Sequence, residues 1–295
     1  MKRLILVAIL SISALTSAWA QTNADFKRTE DVVYGRKFGT ALTLDVFQPA
    51  QPNGCAVLFM VSGGFFSSHE AINPGSYRPF LSRGYTVFAI VHGSQPRFII
   101  PEIVQDIHRA IRFIRHNAAK YGVDSNKFGI TGGSAGGHLS LTMGTQGGAG
   151  QPDAKDPVDR ESSAVQAVAC FFPPTDFLNY GELGVDAVGV GILKDFKPAF
   201  GSQSDTPEGR QKLGKEISPA KFVHAGQPPM LIIHGDADKL VPIQQAELFI
   251  KRSQEAGAVA KLINKEGKGH GWPDLPADMP TLADWFDEHL RGIKK

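Results

Sequence analysis

The sequence predicts an α/β fold: a mostly parallel central sheet with helices on both faces and one inserted cap segment. Three observations carry that prediction. Apolar runs of strand length alternate with stretches of helical periodicity along the chain. Several runs are apolar at nearly every position, as strands buried on both faces are. Gly-rich turns follow some of those runs, where a strand hands over to a helix or loop.

The first twenty residues stand outside this pattern. Lys2-Arg3 form a short positive end, residues 4–15 an apolar run broken only by Ser11 and Ser13, and Ala18-Trp19-Ala20 a small-x-small pattern. That is the plan of a cleavable signal peptide over 1–20, with the mature chain starting at Gln21 after Ala20. The apolar run is shorter than the roughly 20 residues of a membrane span. The expectation is a secreted or periplasmic protein with no membrane span in the mature chain.

The remaining elements follow in order. Residues 41–47 alternate as a half-exposed strand would. Residues 56–61 and 85–91 read as buried strands. Between Pro101 and Tyr121, Ile103, Ile107, Ala110, Ile111 and Ile114 share one helix face, with Arg109, Arg112 and Arg115 opposite. A short strand at 127–131 leads into a helix near 136–144. Strands follow at 165–172, 230–233 and 260–263, with a helix marked by Ile243, Ala246, Phe249 and Ile250. A last helix near 281–290 buries Leu282, Trp285, Phe286 and Leu290. Only 175–223, rich in Gly, Pro, Phe and Asp, breaks the rhythm, which reads as a lid or cap within a single domain over 21–295.

Composition narrows the partners. The chain has 31 Lys plus Arg and 29 acids, so setting aside Lys2 and Arg3 leaves 29 of each. A balanced chain with no Lys/Arg run offers no field to a phosphate backbone, which argues against nucleic acid. With 42% apolar and 20% charged residues, disorder, collagen and coiled coil are excluded. Cys55 and Cys170 are the only cysteines, too few for a disulfide framework or a zinc set, and free buried thiols are expected. No His-Glu-x-x-His occurs, so no metal is expected.

The chemistry begins at Gly132-Gly133-Ser134-Ala135-Gly136. Gly-x-Ser-x-Gly between a strand and a helix is the setting of a nucleophile elbow, where flanking Cβ atoms would clash and the Ser is left strained and exposed. A Ser hydroxyl needs a base and an orienting acid. His234-Gly-Asp-Ala-Asp238 follows the strand at 230–233. Asp238 lies beyond the Gly235 turn and can swing back over the sheet edge, whereas Asp236 is placed to fix the turn through its own backbone. Gly269-His270-Gly271 follows the strand near Ile263, and its glycines free His270 to reach inward. Among the other histidines, His92 and His138 lie near enough to the elbow to line a pocket, and His234 braces its own loop. Ser62-Gly63-Gly64-Phe65-Phe66 can aim backbone N–H groups at a reacting carbonyl, joined by the N–H of Ala135.

Together, the elbow, the Ser62-Gly-Gly-Phe turn, the 106–115 helix, Pro174-Thr-Asp176, the 234–242 loop and Gly269-His-Gly-Trp272 resemble α/β-hydrolases. They are most similar to the bifunctional feruloyl and acetylxylan esterase branch, close to the hormone-sensitive-lipase-like carboxylesterases. The resemblance runs from about Thr40 to Leu290 and shares the chain order Ser, Asp, His. It implies the α/β-hydrolase fold, with Ser134 as nucleophile, Asp238 as acid, His270 as base, and Gly64, Phe65 and Ala135 as oxyanion region. One departure is plain: Ser62 stands where His often opens His-Gly-Gly-Gly, and the turn is one Gly shorter.

The expected activity is a serine ester hydrolase working through an acyl-enzyme without cofactor, on a small-molecule or carbohydrate ester. A prolyl-oligopeptidase-type peptidase is opposed by the lack of a propeller-like N-terminal domain. A non-catalytic binding module is opposed by the presence of all three members of the triad. Phe65 and Phe66 are expected to crowd the acyl side. Trp272 is expected to offer a flat face to a sugar or phenolic ring, and the 175–223 insertion, with Phe177, Phe196 and Phe200, to close over the site.

Overall fold

The chain enters its sheet through a hairpin, β1 (Phe26–Lys37) and β2 (Thr40–Pro49), and continues through β3 (Ala56–Met60), β4 (Thr86–Ile90), β5 (Phe128–Thr131), β6 (Ala167–Phe171), β7 (Met230–Gly235) and β8 (Ala260–Lys265). In this computed structural model, which describes residues 26–294, they form one sheet in the order β1-β2-β4-β3-β5-β6-β7-β8. The β1/β2 and β2/β4 pairs are antiparallel, and all pairs from β4/β3 to β7/β8 are parallel. The predicted signal peptide and its Ala20/Gln21 junction lie outside the described residues.

Helices α1 (Arg78–Leu81), α2 (Ile100–His116), α3 (Ala135–Gln146), α6 (Gln244–Glu255) and α7 (Met279–Arg291) cover the sheet, and α4 (Lys197–Phe200) and α5 (Pro207–Ile217) belong to the insertion, α5 packing on α2. One face packs Ile103, Ile107 and Ile111 of α2, Leu139 of α3 and Phe249 of α6 against Leu58, Ile130, Cys170 and Ile232. The other packs Phe80 of α1 and Leu282 and Phe286 of α7 against Val57, Val87, Ala169 and Leu231. Strand residues alternate between the two sets because successive Cβ atoms point to opposite faces. Burial on both faces is why these strands read as continuous apolar runs.

The elements predicted from sequence are present, with ends moved by a few residues. The helix expected to reach Tyr121 stops at His116, and a 3-10 turn, Ala118–Tyr121, follows. Two differences stand out at the sheet edge. The strand at 26–37 is charged and carries register shifts after Thr29 and after Val33, so its alternation is broken. Because β1 covers β2, residues 41–47 are not half-exposed. Leu44, Asp45, Val46 and Phe47 are all buried, and the Asp45 carboxylate is taken up by Arg28 at 2.8 Å and by the N–H of Asp31 at 3.0 Å. Cys55 and Cys170 are both free and buried. Among the described residues, no helix is long and apolar enough to cross a membrane.

Segment 175–223 contains no strand. Its Phe177, Leu178, Val188, Phe200, Leu213 and Ile217 join the core on the α2/α3 face, so the insertion is packed onto the body of the fold.

Candidate active site

The loops that leave β3, β5, β7 and β8 meet at the carboxyl edge of the sheet. At the end of β5 the chain turns into α3 through Ser134, whose φ of 54° and ψ of −118° no ordinary strand or helix uses. Such a backbone costs about 1–3 kcal/mol and persists only where neighbours enforce it. Here the Ser134 N–H donates to the Phe171 carbonyl at 3.0 Å, and the His138 N–H to the Ser134 carbonyl at 2.9 Å. A Cβ on Gly132 would fall 2.7 Å from the Gly136 carbonyl carbon, which accounts for glycine there. The turn therefore holds the Ser134 hydroxyl out over the sheet edge.

That hydroxyl is met by His270. The Nε2 of His270 lies 2.9 Å from Ser134 Oγ, and its Nδ1 lies 2.7 Å from Asp238 Oδ2. The other carboxylate oxygen of Asp238 accepts the N–H groups of Leu240 and Val241, each at 2.9 Å, which fixes the acid. Burial pushes the Asp238 carboxyl up. Hydrogen bonds from the His234 and His270 imidazoles and from the Val241 N–H outweigh it and hold the carboxyl well below the usual range. An ionised Asp238 places the His270 proton on Nδ1, so the lone pair of Nε2 faces the Ser134 hydroxyl. His234 braces the loop as expected, its Nε2 donating to the Val241 carbonyl at 2.8 Å.

Asp236 takes no part in this set. Its Oδ1 accepts the Gly267 N–H at 2.7 Å and its Oδ2 the Asn264 amide at 3.1 Å. It pins the loop that carries His270 to the end of β8, rather than fixing a turn through its own backbone.

The turn after β3 is a two-residue reversal closed by paired bonds between Gly63 and Phe66, at 3.0 and 2.9 Å. Its central residues Gly64 and Phe65 both have left-handed φ, 54° and 65°, as a type I′ turn requires. Gln95 clamps both from behind, its side-chain amide donating to Gly64 O at 2.6 Å and its N–H to Phe65 O at 3.2 Å. The N–H groups of Gly64, Phe65 and Ala135 donate to no acceptor within the described residues. With Ser134 these three residues border one small cavity. The arrangement can hold a negative oxygen formed beside Ser134.

Two hollows open from Ser134. One, of about 30 Å³, is walled by Phe65 and by Phe177, Tyr180, Leu193, Phe196 and Phe200 of the insertion. The Phe196 ring lies so close over Gly64 that a Cβ there would stand 2.5 Å from its Cε1. The other, of about 350 Å³, is bordered by Ser62, Phe66, Asn73, Ser76, Tyr77 and Phe172. A concavity of about 800 Å³ on the outer side of α5 contains none of these groups.

Further expectations need correction. Phe66 does not share the small hollow with Phe65 but borders the wider one. Trp272 offers no free face: it is 7% exposed, its Nε1 donates to Asp278 at 2.8 Å, and its ring meets Phe171 and Phe172 edge-on. It backs Phe172, whose ring lies 4.7 Å from that of His270. His92 and His138 do not line a pocket but lie one layer behind, His92 bonded to Ser62 and His138 between the rings of Phe65 and Phe177. Burial pushes both down to about 4, so each is neutral at neutral pH. Sequence reasoning missed Gln95, Tyr180 and Leu193, whose roles depend on contacts far along the chain. Among the described residues Glu30, Asp45 and His69 have the spacing of metal ligands, but Arg28 pairs with both acids and makes the group an ion-pair cluster.

Comparison with known proteins gives concordant matches. Residues 44–252 match the model of the BD-FAE family. Esterase LipQ of Mycobacterium tuberculosis is 30% identical over 262 residues, covering 85% of this chain and 59% of that protein, so the chain spans less than two thirds of this relative's length. A carbohydrate esterase from gut microbiota, solved in truncated form, superposes with a TM-score of 0.77 at 28% identity, covering 90% of this chain and 96% of that one. Esterase 2 of Thermogutta terrifontis, solved phosphonylated by sarin, gives 0.68 at 28% identity, covering 90% and 95%.

Proposed function

This chain belongs to the BD-FAE family and has the α/β-hydrolase fold, and we propose that it is a carboxylic ester hydrolase working through an acyl-enzyme on Ser134. The observation that carries this reading is the continuous set Ser134 Oγ, His270 and Asp238, at 2.9 and 2.7 Å. His270 Nε2 takes the hydroxyl proton as Ser134 Oγ attacks the ester carbonyl. The oxygen that gains the charge turns to the N–H groups of Gly64, Phe65 and Ala135, each worth about 3 kcal/mol in the transition state. His270 then gives its proton to the departing alcohol, and a water repeats the sequence on the acyl-enzyme. Asp238 keeps Nδ1 protonated throughout.

The same reading assigns the two hollows. The small one, about 30 Å³ and walled by Phe65, Phe177, Phe196 and Phe200, takes a short acyl tail. The wider hollow has the size of a small-molecule site and takes the alcohol, a carbohydrate or aromatic group. Export through the 1–20 signal, to the cell exterior or periplasm, would bring the enzyme to such esters, and cell fractionation of the full-length chain checks it. Nothing in the step needs a cofactor.

The test is a p-nitrophenyl ester series from acetate to laurate with the purified chain. Turnover greatest at acetate or propionate and lost in Ser134→Ala supports the reading. Turnover that rises with chain length, or survives Ser134→Ala, rejects it.

A further inference from the structure

Ser62 leaves the end of β3 and borders the wider hollow together with Ser134. Behind it stands His92, buried just past the end of β4, which the ester reaction does not use. The Nδ1 of His92 lies 2.8 Å from the Gly93 carbonyl oxygen. A carbonyl can only accept, so Nδ1 carries the ring proton, and in a neutral imidazole Nε2 is then a bare acceptor. Ser62 Oγ is 2.8 Å from that Nε2 and must donate to it. The hydroxyl proton is thus committed inward, and Ser62 presents only lone pairs to the hollow.

The backbone that carries the ring and its Gly93 acceptor is held from several sides. The His92 backbone N–H donates to Ser67 Oγ at 3.1 Å, and the Ser67 hydroxyl donates to Val61 O at 2.5 Å. The Gly93 N–H donates to Asp106 Oδ2 at 2.9 Å, and Lys37 Nζ holds the same oxygen at 2.6 Å. Burial keeps His92 uncharged, so its Nε2 stays bare at neutral pH.

We propose that Ser62, oriented by His92, is a specificity residue that selects esters whose alcohol half carries a free hydroxyl near the scissile oxygen. This rests on the ester-hydrolase reading and on the alcohol occupying the wider hollow. A group that can only accept is satisfied by a hydroxyl and left unpaired by a methyl or an ether. The favoured substrates are therefore monoesters of polyols, and a fully acylated polyol is disfavoured. His92 acts through Ser62 and is a positioning residue.

The experiment compares 2-hydroxyethyl acetate with n-propyl acetate, which differ by OH against CH3 at one position, each corrected for its rate with hydroxide. The unmodified enzyme should prefer the hydroxy ester about tenfold in kcat/KM, the size of one hydrogen bond to a half-buried acceptor. Ser62→Ala should bring the ratio within about twofold of unity. His92→Leu, which leaves the Ser62 proton without its acceptor, should lower it too. A folding defect or a damaged oxyanion turn slows both esters alike and leaves the ratio intact. A ratio near one in the unmodified enzyme, or one that survives Ser62→Ala, overturns the role of Ser62. A ratio unchanged in His92→Leu overturns that of His92. If p-nitrophenyl acetate and both test esters all go unhydrolysed, the ester-hydrolase reading falls first and this one with it.

Discussion

The two hollows that share Ser134 differ in origin, size and chemistry. The tight one is closed by the insertion, whose Phe177, Phe196 and Phe200 bring an apolar wall against the turn after β3. The wide one is bordered by the sheet's own loops, with Ser62, Asn73 and Ser76 among its polar groups. Between them, the reacting set stands on the ends of β5, β7 and β8. On the proposed reading the labour is divided: the sheet edge carries the reacting groups, the insertion limits the acyl group, and Ser62 reads the alcohol. Each assignment can be broken separately.

The largest effect comes from the residue the two hollows share. Ser134→Ala and His270→Ala should each cut turnover by about 10⁴- to 10⁶-fold, and the double variant should be hardly slower than either single one. Circular dichroism spectra should remain those of the unmodified chain. Losses that add would show that the two do not act as a unit. Next comes Asp238→Asn, expected to cost about 10³- to 10⁴-fold because it strands the imidazole in the wrong tautomer. Asp236→Asn, which only loosens the loop after β8, should cost less than about tenfold in the same assay.

Acid attacks both hollows from behind, since His92 backs the wide one and His138 the tight one. Burial holds these two and His108 down at about 4, against about 6.5 in an unfolded chain. Their folded pKa values are lowered, so below pH 6.5 the unfolded chain binds more protons. Their contribution is complete above that pH and is lost as pH falls towards 4. Three such groups give a slope of up to about 4 kcal/mol per pH unit within that window. Asp238, also depressed, adds a loss only as pH falls below about 4. Urea unfolding at pH 7, 6 and 5 measures this, and a stability flat over that range would contradict it.

Phe196→Ala sharpens the contrast by opening the tight hollow alone. It should raise the butyrate-to-acetate ratio of kcat/KM by about 10- to 100-fold, as one or two methylenes gain room. The smallest effect belongs to Trp272→Phe, which loses the bond to Asp278 and should destabilise the chain by about 1 kcal/mol. If Trp272 is a backing residue, acetates of aromatic, sugar and aliphatic alcohols should all change together. A selective loss on aromatic or sugar esters would restore it to the substrate.

The meeting of Ser134, His270 and Asp238 was legible in the sequence because its determinants are local. Gly132 and Gly136 are where a sharp strand-to-helix turn needs them, and Asp238 and His270 sit in loops directly after apolar runs. The packed layer was not legible, because it depends on pairs far apart along the chain. Phe196 reaches Gly64 from the insertion, and Gln95 clamps the turn from beyond β4. Trp272 misled for the same reason: beside His270 in sequence it looked like a contact surface, but Asp278 and the two phenylalanines at the end of β6 draw its ring inward. β1 was hidden by its own charges and bulges, since an edge strand that alternates poorly carries little signal.

On the proposed mechanism Ser134 is the nucleophile between two unlike hollows. Treating the chain with one equivalent of a fluorophosphonate and mapping the adduct by peptide mass spectrometry tests it most directly. One label per chain, on Ser134, with hydrolysis of p-nitrophenyl acetate lost in proportion and no label in Ser134→Ala, is the predicted result. No label, or a label that maps to Ser62 while Ser134 stays free, would contradict it.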